Sequence, residues 1–275
     1  MKSSRILFAV MAFATGLVDV LWGAFEPAHE PIQAFGDHVW GQTIFAYVVA
    51  VVLMLGGLAL LTRKFVRAGA LAAGVCYLLF AIFNVPRLIS APRYLGIHLT
   101  VFVGVLDGVF QQLILVGAAA MLYAVVADRA ALTRRTDHTM RWLFGIACVD
   151  FGLAHVLQLA ADSPFVPAWM PLGQKFWVAF TGVAMLCAGV AFLVRRWDVL
   201  AARLLALMFL IFSLLTVGPQ VFQYPHAQAA WGSNTFNLAA VASAWIFAEW
   251  LAARAVTLRK GIPLSPDASN RPATP

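Results

Sequence analysis

The sequence predicts an all-α membrane protein, with eight transmembrane helices arranged as two tandem, parallel-oriented four-helix repeats. Three observations carry this expectation. The chain is 62% hydrophobic and 11% charged, far below the roughly 25% charge of a soluble domain. Its apolar residues fall in runs long enough to cross a hydrocarbon layer about 30 Å thick, and those runs must be helical because lipid offers no partner to free backbone groups. The second half also repeats the first. Gly16-Leu17-Val18-Asp19-Val20-Leu21 returns as Gly152-Leu153-Ala154-His155-Val156-Leu157. Gly41-Gln42, Gly57 and Arg63-Lys64 return in order, at one constant spacing, as Gly173-Gln174, Gly189 and Arg195-Arg196. Several matches in one order mark a tandem repeat.

The first expected span, 6–25, follows a short basic start (Lys2, Arg5). It is read as a retained helix and not a cleaved signal peptide, because it is long, carries Asp19, lacks a clear small-residue cleavage site and matches the fifth span. Spans two to four are placed at 43–62, 68–85 and 99–126, so the first repeat covers 1–127. The polar, basic stretch 128–140 is expected to be a cytoplasmic linker. The second repeat, 141–254, holds spans at 142–161, 176–194, 204–217 and 235–253; the seventh is short, and 199–202 can lengthen it. The end, 255–275, is rich in Pro, Ser and Ala and is expected to be a disordered tail.

The net charge of +7 could point to nucleic acid, but its distribution points to lipid. All but Arg87, Arg93 and Lys175 of the 19 basic residues fall at the termini or in alternate connections. By the positive-inside rule both termini then face the cytoplasm. The expected setting is a bacterial inner membrane, with the lipid bilayer as partner and no nucleic acid. Because each repeat has an even number of spans, the two copies enter the membrane in the same direction. They are then related by an axis along the membrane normal, unlike inverted-repeat transporters.

Ionisable groups inside a span are costly unless they face a partner or a wet cavity, so they are the candidate functional residues. Asp19, Trp22 and Glu26 share one face of the first helix. Asn84 and Arg87 end the third, and Asp107 and Gln111 lie one turn apart on the fourth. His155 and Gln158 occupy the fifth, and Asn237 begins the eighth. Two readings follow. These groups line a polar cavity opening outward, or they pair among themselves to fix helix packing, for instance Arg87 with Asp19 or Asp107. The matched positions of Asp19 and His155 raise a further alternative. They meet near the repeat axis as a proton relay, or His155 simply bonds a backbone carbonyl. Asp150, deeper in the fifth span, is expected to pair with Arg203.

Cys76, Cys148 and Cys187 lie singly in spans, which excludes a paired-thiol oxidoreductase and predicts buried small hydrophobes. His29, His38, His98, His155 and His226 fall on the outer half without ligand spacing, so no metal site is expected. Only His155 is well inside a span, which argues against bis-imidazole haem. Gly56-Gly57 and Gly104/Gly108 are read as close helix contacts, not nucleotide loops.

The loops after spans one and five carry a further pattern. One runs Glu26-Pro27-Ala28-His29-Glu30-Pro31-Ile32-Gln33-Ala34-Phe35, the other Pro164-Phe165-Val166-Pro167-Ala168-Trp169-Met170-Pro171. Each precedes an apolar helix ending in small residues and a basic pair. Each half thus resembles the DoxX-like family of bacterial integral membrane proteins, four-helix units of which this chain would hold two. The second half matches better; the first departs at Gln33 and in its extra acidic and His residues. The resemblance implies a membrane component of a quinone-linked redox system. No redox cofactor is evident in the chain, so it would bind a quinone, take electrons from a redox partner protein and associate with itself or other subunits. A small-solute carrier or channel, and a non-catalytic membrane scaffold, are the alternatives, and whether the chain is an enzyme stays open.

Overall fold

The computed structural model describes residues 1–31, 41–127 and 130–259. The described residues are all-helical and contain eight helices long and apolar enough to cross a membrane. They are α1 (Lys2–Trp22), α2 (Gln42–Leu61), α3 (Val66–Asn84) continued by α4 (Arg87–Leu95), α5 (Leu99–Ala127), α6 (Ala130–Leu157), α8 (Gln174–Val194), α9 (Asp198–Phe212) continued by α10 (Gly218–Gln223), and α11 (Gln228–Arg259). The short α7 (Leu159–Asp162) follows α6. Pro86 opens α4, so a proline marks the change of course after α3. Between α9 and α10 the ladder widens into one π turn, Ser213–Val217, next to Pro219, which has no N–H to donate.

Two boundaries differ from the sequence expectation. The stretch expected as linker is helical from Ala130, since it contains no Gly or Pro, packs Met140 inward and ties Asp137 to Arg141 one turn on. The last helix runs through Arg259, so the expected tail is helical over 255–259; residues 260–275 lie outside the described residues.

α5 and α11 form the centre. They pack on each other, and α11 also receives α1 and α9 while α5 receives α3 and α6. A helix contacted on all sides needs no polar face: α11 buries Ala239, Ala240, Val241, Ala242 and Ala244, and Phe247 stacks on Phe144 at 4.3 Å. The outer helices pair through glycine. A methyl added at Gly16 would lie 2.5 Å from the Ala50 carbonyl, and one at Gly57 would lie 2.6 Å from that of Ala9. In the second half a methyl at Gly152 would meet the Gly182 carbonyl at 2.6 Å, and one at Gly189 the Gly145 carbonyl at 2.7 Å. Only residues without Cβ permit so close an approach.

Apolar side chains also cover the outside, as hydrocarbon requires: Leu55, Leu58, Val183 and Val190 are all exposed. Cys187 lies on this surface, contrary to the expected burial, because it shares the outward face of α8 with Val183 and Val190; Cys76 and Cys148 are buried. The end carrying the basic residues is tied together by charge. Arg141 bonds both Asp137 and Asp198, Asp137 accepts from Trp250 Nε1 at 3.1 Å, and Glu249 lies 3.0 Å from the Met1 amine.

Candidate functional site: a cavity in the second half and its filled counterpart

The candidate residues separate into two groups at the end of the bundle opposite the basic residues. Asp19, Glu26, Asn84 and Arg87 fasten the loop after α1. Asp19 is fully buried, and its Oδ1 accepts the Glu26 backbone N–H at 2.9 Å and Gln228 Nε2 at 3.3 Å. Gln228 also donates to the Ala24 carbonyl, and Asn84 Nδ2 to that of Ala28. Arg87 donates to the carbonyls of Pro27 and Glu30 at 3.0 and 2.9 Å. This guanidinium thus ties the loop through its backbone carbonyls, with the Glu30 and Glu26 charges acting on it.

Drawn inward by these bonds, the loop buries its own side chains. Phe25 meets Phe45, Phe80 and Phe83 edge-on, and His29 stacks on Phe80 at 4.2 Å. Burial pushes the Glu26 carboxyl up to about 7, opposed by the Ala28 N–H and the Arg87 charge. Burial, helped by the Arg87 charge, pushes the His29 imidazole down to about 3. At neutral pH the ring is therefore uncharged although Glu26 Oε2 lies 3.9 Å away. Trp22 belongs to neither group; it is a third exposed, on the outside of α1, because the turn after it points the loop and not the indole inward.

Asp107, Gln111, His155, Gln158 and Asn237 come together elsewhere, around a cavity of about 590 Å³ lined by α5 of the first half and by helices of the second. Gln111 donates to Asp107 Oδ2 at 2.7 Å. His155 Nδ1 lies 2.9 Å from the Phe151 carbonyl, one turn back on its own helix. The hydroxyls of Thr181 and Thr216 donate to the carbonyls of Trp177 and Phe212. Asp162, on α7, completes the polar end, and burial raises its carboxyl pKa. Below this end the walls are apolar, formed by Phe180 of α8 and by Leu204, Leu207 and Ile211 of α9. These four are also exposed, and α8 packs less extensively on α9 than α2 does on α3, so the cavity reaches the lipid-facing surface between them. The π turn borders it through Leu215 and Thr216.

Asp19 and His155 do not meet. α1 packs on α2 and α11 and α6 on α5 and α8, so the central pair separates them. The carbonyl-bonded alternative for His155 is the one found. Asp150 has no recorded bond to Arg203, which faces outward from α9, and its Oδ2 has no hydrogen-bond partner. Asp162, Trp177, Thr181 and Thr216 were not among the expected site residues. The sequence held a signal for Asp162, because the spacing between Asp19 and His155 also separates Glu26 from Asp162. Among the described residues no group of three or more His, Cys, Asp or Glu side chains could hold a metal ion.

No protein-family model matches the chain, and no similar curated protein or solved structure was found.

Proposed function

We propose that this chain is a multi-pass inner-membrane protein of two like-oriented four-helix units, N-in and C-in, and that the cavity between α5 of the first unit and the helices of the second binds an amphipathic, membrane-soluble molecule. The doubled architecture is supported by matching contacts. Gly16 against Ala50 corresponds to Gly152 against Gly182, and Gly57 against Ala9 to Gly189 against Gly145. Gln42 and Gln174, at equivalent positions, each hold the preceding loop, through Glu30 and through the Val166 carbonyl respectively. Orientation is supported by the basic residues at the end where α1 begins and α11 closes.

The observation that carries the binding function is the form of the cavity. Its polar groups gather at one end, its apolar wall opens toward lipid, and its volume of about 590 Å³ lies within the roughly 300–1,000 Å³ of small-molecule sites. A molecule with a compact polar head and an apolar body would enter between α8 and α9 and place its head near Asp107 and His155. A quinone is one such molecule, and the resemblance to the DoxX-like family favours it; electrons would then come from a partner protein. A carrier would use the same cavity for transit, and flux into proteoliposomes holding only this chain distinguishes that role.

Native mass spectrometry of the detergent-purified chain tests the binding function. The expected result is a retained small amphiphile that is lost in Leu207→Trp, where the indole fills the cleft. Equal retention in both proteins, or none in either, contradicts the reading.

A further inference from the structure

The balance of charge around the cavity narrows the class of ligand. Two carboxylates, Asp107 and Asp162, belong to its lining, and no Lys or Arg does among the described residues. Carboxylates in an apolar wall are costly, and an incoming cation relieves that cost.

The neutral groups face the same way. Thr181 and Thr216 spend their hydroxyl hydrogens on their own helices and leave only lone pairs. His155 uses its Nδ1 on a carbonyl of its own helix, which leaves Nε2 as its second polar atom. One Gln111 N–H is committed to Asp107. The threonine oxygens and the two carboxylates thus supply acceptors at the polar end, beside the amides of Gln111, Gln158 and Asn237. Trp177 and Phe212 line the same space, and aromatic faces attract cations by roughly 0.5–2 kcal/mol.

Resting on the reading that this cavity takes a membrane-soluble amphiphile, we propose that its ligand is a lipophilic cation, a protonated amine or quaternary ammonium whose charge is held by Asp107 and Asp162. The opening between α8 and α9 admits the apolar body from the bilayer, and the hydrogen-bond acceptors receive any N–H. A neutral quinone head brings no charge to meet the two carboxylates.

Equilibrium binding to the full chain in nanodiscs tests this, with tetraphenylphosphonium as the cation and triphenylphosphine oxide and decyl-ubiquinone as uncharged probes. The cation is expected to bind at least tenfold more tightly than either. Asp107→Asn combined with Asp162→Asn should cost the cation at least tenfold and leave the phosphine oxide within threefold. Asp162→Asn alone, on partly exposed α7, gives the same direction should the double variant fail to fold, and the wild-type ratio needs no variant. Uncharged probes binding as tightly as the cation, or cation affinity unchanged in the Asn variants, overturns the charge assignment and leaves the cavity reading standing. Binding of none of the probes overturns both.

Discussion

The loops after α1 and α6 begin from related sequence and end in opposite places. In the first half the loop turns inward, and Phe25 is 2% exposed; in the second it stays outside, and Phe165 is 58% exposed. The cause lies in one exchange. Asp19 offers a carboxylate oxygen that captures the Glu26 N–H and Gln228, whereas His155 at the matching position bonds the Phe151 carbonyl of its own helix. The residue matching Phe25 is Ala161, so the second half has no aromatic plug there. Phe80 is covered by His29, while its counterpart Phe212 stands at the cavity with His155 6.1 Å away. At this end of the bundle one half of the chain is thus filled by its own loop, while beside the other a cavity stays open.

The largest expected effect comes from removing the plug. Phe25→Ala should lower stability by about 3–5 kcal/mol, the usual loss for a buried aromatic, while Phe165→Ala should stay within about 0.5 kcal/mol, as for other exposed substitutions. Thermal unfolding of both variants in one detergent measures the difference, and similar midpoints would erase the contrast between the loops.

The equivalence of the two glycine seams is tested next. Gly57→Leu and Gly189→Leu should each cost about 1–3 kcal/mol through overpacking. A loss confined to one of them would break the correspondence of the halves.

A smaller effect follows from titration of the filled half. Glu26 has its folded pKa raised to about 7 from 4.5, so its stabilising contribution is complete below pH 4.5 and is lost as pH rises through 7. His29 has its folded pKa lowered to about 3 from 6.5, so its contribution is complete above pH 6.5 and is lost as pH falls through 3. Between pH 4.5 and 6.5 the two slopes oppose each other. Glu26→Gln should remove the Glu26 slope, so the stability of the wild type relative to the variant should fall as pH rises over that window; parallel denaturation series of the two proteins read the sign.

The smallest expected change is in labelling alone. Cys187 should react with a lipid-soluble maleimide while Cys76 and Cys148 stay protected. Leu55→Cys, at the matching position on α2, should react to the same extent as Cys187.

Helix number and the positions of the spans were legible from apolar run length, because hydrocarbon thickness leaves little choice. Polar residues inside spans were legible as unusual, and five of the ten expected site residues do line one cavity. Their division into two sites was not legible, because it depends on where α5 and α11 stand. Spacing along the chain places Asp19 and His155 at one depth without saying that two central helices separate them. Thr181 and Thr216 escaped notice for a different reason: a hydroxyl bonded to its own helix is ordinary in a membrane span, and only the open space beside it gives it a role.

Reactivity at two matched positions tests the contrast most directly. Thr181 borders the cavity, and its counterpart Val49 is 6% exposed in the filled half. In proteins lacking the native cysteines, a membrane-permeant thiol reagent should modify Thr181→Cys rapidly and Val49→Cys at least tenfold more slowly. Equal rates at the two positions would contradict an account in which one half is filled and the other open.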